Sequence, residues 1–125
     1  MTEARSTAAP SSAPSTAEVL DRLFETIQSR RGADPASSYT AKLFHRGTAK
    51  IAQKVGEEAV EAVIEAMRRD PAKLAEESAD LLYHLLVLWA DAGLEPARVY
   101  DILAGREGTS GIDEKKARKQ NVGGK

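Results

Sequence analysis

The chain has 125 residues, 42% hydrophobic and 30% charged with aromatics at 5%, which fits one soluble globular domain with an aliphatic core. Its 18 basic and 19 acidic residues give a formal charge of −1, so there is no basic field to hold a nucleic-acid backbone, and nucleic acid is not an expected partner. The absence of cysteine excludes disulfides, thiolate nucleophiles and cysteine zinc sites.

Residues 1–16, MTEARSTAAPSSAPST, are small, polar and interrupted by proline, and bury too little surface to offset the entropy of ordering, so they read as a disordered tail. No apolar signal core follows Arg5, so export is not expected and the cytoplasm is the expected compartment. The folded domain is expected over residues 17–105. Ser15 and Glu18 have the spacing of a capping box, which predicts a first helix from about Thr16 to Arg30 with Val19, Leu20, Leu23, Phe24 and Ile27 inward, ended by Gly32.

After the loop GADPASS, Ser38 is placed to cap a short helix from Tyr39 to about His45, stopped by Gly47. Ile51, Val55, Ala59, Ala62, Val63, Ala66 and Met67 recur at helical spacing and predict a long helix from about Thr48 to Arg69 with these residues inward. Asp70 and Pro71 then form an N-cap and a first helical proline, so another long helix starts at once and the two must run antiparallel. That helix is expected to reach Ala92 and Gly93. Its run from Leu81 to Ala90 is about half the ~20 residues a membrane crossing needs, and it reads as a buried helix. A last short helix is expected from Pro96 to about Gly105. Residues 106–125 read as a flexible, basic tail, in which the stretch from Arg106 to Lys119 either frays or orders over a polyphosphate. The class is all-α, a bundle of four to five helices.

The acidic residues of the long helices are crowded rather than dispersed. At 100° per residue, Lys54, Glu58, Glu61 and Glu65 fall within about 60° of one another and border the apolar arc. On the following helix Glu77, Asp80 and His84 share a face, and antiparallel pairing brings Glu58 and Glu61 opposite Glu77 and Asp80. Two charges ~6 Å apart repel by roughly 3 kcal/mol at an effective dielectric near 20, so four carboxylates in that arrangement require a cation or protonation. Oxygen ligands without cysteine or clustered histidine select a hard divalent ion, Mg²⁺ or Mn²⁺, which typically binds through carboxylates together with a ligand's phosphates. The other reading is a solvated face with pairs at i, i+4 to Lys54, Arg68 or Arg69.

Glu57-Glu58-Ala59-Val60-Glu61 and Glu77-Ser78-Ala79-Asp80 resemble the EExxE and ExxD marks of the all-α nucleotide pyrophosphohydrolase (MazG-like) superfamily. The wider runs SYTAKLFHRGTAKIAQKVGEEAVEAVIEA and ESADLLYHLLVLWADAGL are similar to its phosphoribosyl-ATP pyrophosphohydrolase family, over about residues 19–105. The resemblance implies hydrolysis of 1-(5-phosphoribosyl)-ATP to 1-(5-phosphoribosyl)-AMP and pyrophosphate, the second step of histidine biosynthesis. It implies Mg²⁺ held by Glu58, Glu61, Glu77 and Asp80, and a homodimer, which would also cover the apolar helix from Leu81 to Trp89. Glu57 is the choice for orienting or deprotonating the water. Lys42 and Lys54 are the choices for contacting phosphate, and each also fits a surface lysine. His84 orders the site or is a satisfied buried histidine; Tyr39 and Tyr83 stack on adenine or pack in the core. The rivals are a nucleotide-pool pyrophosphohydrolase using the same carboxylates and a non-catalytic helical dimerisation module.

Overall fold

A computed structural model of the chain describes residues 15–108 together with 111, 115, 116, 118 and 119. Residues 1–14 of the expected tail over residues 1–16, and most of the expected C-terminal tail, lie outside the described residues. Five α-helices follow one another: α1 (Glu18–Ser29), α2 (Tyr39–Arg46), α3 (Thr48–Met67), α4 (Pro71–Ala92) and α5 (Pro96–Gly105). Among the described residues there is no strand, so the all-α class predicted from periodicity is what forms. Among the described residues no helix is long and apolar enough to cross a membrane. The chain divides into two compact units, Met1–Leu94 with the first four helices and Glu95–Lys125 with α5.

Local chemistry sets the ends of the helices. Ser38 accepts a hydrogen bond from the Ala41 amide at 3.1 Å and starts α2, and Gly47, at φ 93°, separates α2 from α3 with a single residue that needs no Cβ. α3 ends two residues earlier than predicted because Arg69 turns left-handed at φ 58°. The Arg69 amide then bonds the Ala66 carbonyl and the Asp70 amide bonds the Glu65 carbonyl, the paired bonds of a Schellman stop. Asp70 Oδ1 next accepts from the Lys73 amide at 3.1 Å and Pro71 opens α4. Two long helices thus reverse direction within three residues. Asp70→Ala is expected to cost about 1 kcal/mol, a fall of roughly 4 °C in Tm, whereas Asp70→Asn should melt close to the parent in a calorimetric scan.

α4 is the central element of the first unit, packing against α1, α2 and most extensively α3. Phe24 and Ile27 of α1, Leu43 of α2, Ile51 of α3 and Tyr83, Leu86, Val87 and Ala90 of α4 form the buried core. All the α4 members lie in its C-terminal half, so α1 and α2 cover only one end of the α3–α4 hairpin. Arg31 fastens that end, stacking its guanidinium over Phe44 and donating to the Ala90 carbonyl, and Thr48 donates to Asp91 beside it.

Two expectations are corrected here. The Ser15–Glu18 capping box does not form: Ala17 occupies the cap position without a side-chain bond, Thr16 Oγ1 accepts from the Glu18 amide at 3.3 Å, and Val19 is exposed. In α3, Val63, Ala66 and Met67 were expected inward but are exposed, Met67 at 79%, while Glu65 is buried at 4%. The reason is rotational. α3 turns Ile51, Glu58 and Glu65 toward its neighbours, and Val60, Val63, Ile64 and Met67, at i, i+3, i+4 and i+7, form a second apolar arc on the opposite half of the helix.

Candidate metal centre

The antiparallel hairpin brings acids from two helices together. Glu58 of α3 and Glu77 and Asp80 of α4, all half-buried, each offer a carboxylate oxygen within 4.8 Å of the others. Glu77 and Asp80 are neighbours because a spacing of three residues places them one helical turn apart. Their meeting with Glu58 depends on the register that the Asp70 turn imposes on α3 and α4.

Burial and neighbouring charge act together on Glu77. The Glu77 carboxyl is raised above its ordinary value, first by partial burial and then by the neighbouring carboxylates of Asp80, Glu58 and Glu61. Such a carboxyl binds its proton more tightly in the folded chain than in the unfolded one. It therefore stabilises the metal-free fold most at acid pH, and that contribution is lost as pH rises through the raised value. The nearest described counter-charge is on one side only: Lys54 Nζ lies 3.4 Å from Glu57 Oε1 and 3.7 Å from Glu58 Oε1. Burial opposes the Lys54 ammonium, yet the Tyr39 hydroxyl, Glu57 and Glu58 together raise its pKa. Three crowded oxygen donors with one lysine at their edge fit a hard divalent cation. Glu77→Gln should therefore raise the Tm of the metal-free protein at pH 7 while removing most of the stabilisation that added Mg²⁺ gives. A lower metal-free Tm in that variant would mean that the cluster is not under repulsion.

The remaining site candidates are distributed around this trio. Glu61 is exposed one turn further along α3 and stands outside the group of close oxygens, acting on Glu77 only through its field. Glu57 is exposed, accepts from Gln53 Nε2 at 2.9 Å and pairs with Lys54. These two bonds, Gln53 first, lower its pKa and make it a weaker base. Lys42 is exposed on α2, and no described contact joins it to the trio. Tyr83 is buried at 2% in the core with its hydroxyl bonded to Thr40, so it packs rather than stacks on a ligand. His84, exposed by only 1%, has both ring nitrogens engaged, Nδ1 donating to the Asp80 carbonyl at 2.8 Å and Nε2 meeting the Tyr39 hydroxyl at 3.2 Å. The Tyr39 hydroxyl is raised in pKa by burial, with Lys54 opposing and Glu58 adding to the shift. Sequence reasoning missed the contacts of Gln53 with Glu57, Thr40 with Tyr83 and Tyr39 with His84. The i, i+4 spacing of Gln53 and Glu57 was a legible signal, but no local pattern announces that Tyr39 meets His84.

The family described as phosphoribosyl-ATP pyrophosphohydrolase matches residues 20–107. A protein of Azospirillum brasilense named phosphoribosyl-ATP pyrophosphatase is 78% identical over 103 residues, 82% of this chain and 93% of its own. Proteins of the same name from Paramagnetospirillum magneticum and Rhodospirillum rubrum are 62% identical over 101 residues and 59% over 109 residues. These alignments cover 81% and 87% of this chain, and 93% of each relative.

Proposed function

Since the chain belongs to the phosphoribosyl-ATP pyrophosphohydrolase family, we propose that it hydrolyses 1-(5-phosphoribosyl)-ATP to 1-(5-phosphoribosyl)-AMP and pyrophosphate, the second step of histidine biosynthesis. The observation that carries this reading is the convergence of Glu58, Glu77 and Asp80 within 4.8 Å, on a hairpin that lies inside the matched region. Water attacks the α phosphorus, the bond from it to the α–β bridging oxygen breaks, pyrophosphate leaves with the electron pair, and a proton of the water passes to solvent. Every bond change is on water and phosphate, so no protein nucleophile is required.

Glu58, Glu77 and Asp80 would hold Mg²⁺, or Mn²⁺ in its place, with Glu61 reaching it directly or through water. When bound, the ion neutralises charge on the phosphates and on the leaving pyrophosphate. The chain's own groups do the rest. Lys54, its positive charge favoured by Glu57 and Glu58, is assigned to phosphate contact, and Lys42 to a second contact from α2. Glu57 is assigned to orienting the water, because its lowered pKa suits accepting a hydrogen bond better than retaining a proton. We assign the reaction to the cytoplasm, where ATP-derived substrates are formed.

A second copy of the chain completes the assembly in this reading. Val60 and Val63 are 57% and 61% exposed, and with Ile64 and Met67 they form one stripe on α3; Leu82 of α4 is exposed as well. A contiguous apolar stripe of this kind marks an association surface, and a two-fold pairing would bury it against itself.

The decisive assay is pyrophosphate release by the purified chain in Mg²⁺, with phosphoribosyl-ATP set against ATP, dCTP and dUTP. Strong preference for phosphoribosyl-ATP is expected. Preference for a plain triphosphate would assign the same carboxylates to nucleotide-pool cleaning, and no release from any of the four would leave only a non-catalytic helical module.

A further inference from the structure

Beside the acidic site lies a set of polar rings, Tyr83 and His84 buried and Tyr39 half-buried, that the reaction does not use. Tyr39 is the first residue of α2; Tyr83 and His84 are consecutive on α4. The rings pack together, with the Tyr39 and Tyr83 centroids 6.4 Å apart and the His84 ring edge-on to both, at 6.0 and 5.1 Å.

One hydrogen bond in this set has a fixed direction. The Asp80 carbonyl oxygen only accepts, so His84 Nδ1 carries a hydrogen and donates across 2.8 Å. Nε2 meets the Tyr39 hydroxyl across 3.2 Å and can accept its hydrogen. A chain of two bonds therefore runs from α2 through the imidazole to the backbone of Asp80, which is itself one of the three close carboxylate residues. Tyr39 also stands within electrostatic reach of Lys54, Glu58 and Asp80.

This placement answers a mechanical problem. Glu58 sits on α3 and its two repelling partners on α4, so the carboxylates push on the interface that must hold them. The apolar core lies toward residues 83–90 of α4, on one side of the acidic group only. His84 and Tyr39 stand where that core meets the acids, and their bond is a directional tie between α2 and the α4 turn bearing Asp80.

We propose that Tyr39 and His84 are positioning residues for the acidic site: the hydrogen bond between them anchors the α4 turn of Asp80 to the start of α2 and holds Asp80 in register with Glu58 and Glu77. Groups that orient ligand residues in this way typically change metal affinity or activity by ~10- to 100-fold when removed. The inference rests on reading the acidic trio as a metal site.

The test is calorimetric titration of the full chain with Mn²⁺ alone, together with Tm, kcat and KM, for the parent, Tyr39→Phe, His84→Gln and the double variant. Tyr39→Phe keeps the ring and its stacking and loses only the hydroxyl. It is expected to weaken Mn²⁺ binding about 10-fold and to lower kcat, with metal-free Tm close to the parent and KM little changed at saturating metal. The double variant should bind Mn²⁺ no more weakly than His84→Gln alone, because both substitutions cut the same chain of bonds. Mn²⁺ affinity in Tyr39→Phe within twofold of the parent overturns the proposal, as does strict additivity in the double variant. A lower Tm with unchanged Mn²⁺ affinity does so too, since that is the signature of packing alone. If the parent itself fails to bind Mn²⁺, the metal reading of the trio falls and takes this inference with it, an outcome distinct from the others.

Discussion

Glu58→Gln is expected to lower kcat by roughly 10³-fold, a loss of about 4 kcal/mol in transition-state stabilisation, while leaving the helical fold intact. The substitution keeps the size and shape of the side chain and removes one charge from a trio whose oxygens lie within 4.8 Å of one another. Two carboxylates remain, which lowers the negative potential for a divalent ion and frees Lys54 from its 3.7 Å pairing with Glu58. Stability should move in the opposite sense to activity. A parent protein at a Mg²⁺ concentration 100-fold above its Kd gains about 2.7 kcal/mol by mass action; the variant should gain far less, and its metal-free form should melt no lower than the parent because a repulsion has been removed. Stopped-time pyrophosphate assays and melting curves with and without Mg²⁺ read both effects. Activity within tenfold of the parent would refute the role assigned to Glu58.

Replacing Val63 and Ile64 together by aspartate is expected to convert a dimer into monomers. Both side chains lie on the exposed apolar stripe of α3, Val63 at 61% and Ile64 at 37%. In a two-fold interface each substitution appears twice, so four apolar side chains are lost at ~2 kcal/mol each, and like charges face one another across the axis. The sum of about 8 kcal/mol corresponds to a dissociation constant weakened by roughly 10⁵-fold or more. Sedimentation equilibrium of the parent and the variant measures this directly. A parent that sediments as a monomer, or a variant that remains a dimer, would remove the self-association assigned to this face.

Much of the site was legible before any tertiary structure. Its carboxylates sit at spacings of three and four residues, and a helix turns such spacings into shared faces whatever surrounds it. Ser38, Asp70-Pro71 and Gly93 announced their helix boundaries because caps and proline act within one turn. Where the reading failed, a competing local arrangement or a distant contact was the cause. The predicted cap at Ser15 lost to a chain that enters α1 through Thr16 and Ala17. The α3 pattern assigned Val63 and Met67 to the interior because hydrophobicity alone does not say which of two apolar arcs faces α4.

The sequence by itself determined the class, the order of the helices, the antiparallel hairpin and the residues from which an acidic site is built, since all of these follow from local periodicity and turn chemistry. Only the tertiary structure decided the rotation of α3. That rotation brings Glu58 to Glu77 and Asp80 with Glu61 outside the close group, buries Glu65, and leaves a second apolar arc uncovered. It also decided the meeting of Tyr39 with His84, 45 positions apart. Both outcomes depend on how four helices share one core, and no local spacing encodes the angle at which a helix settles against its neighbours.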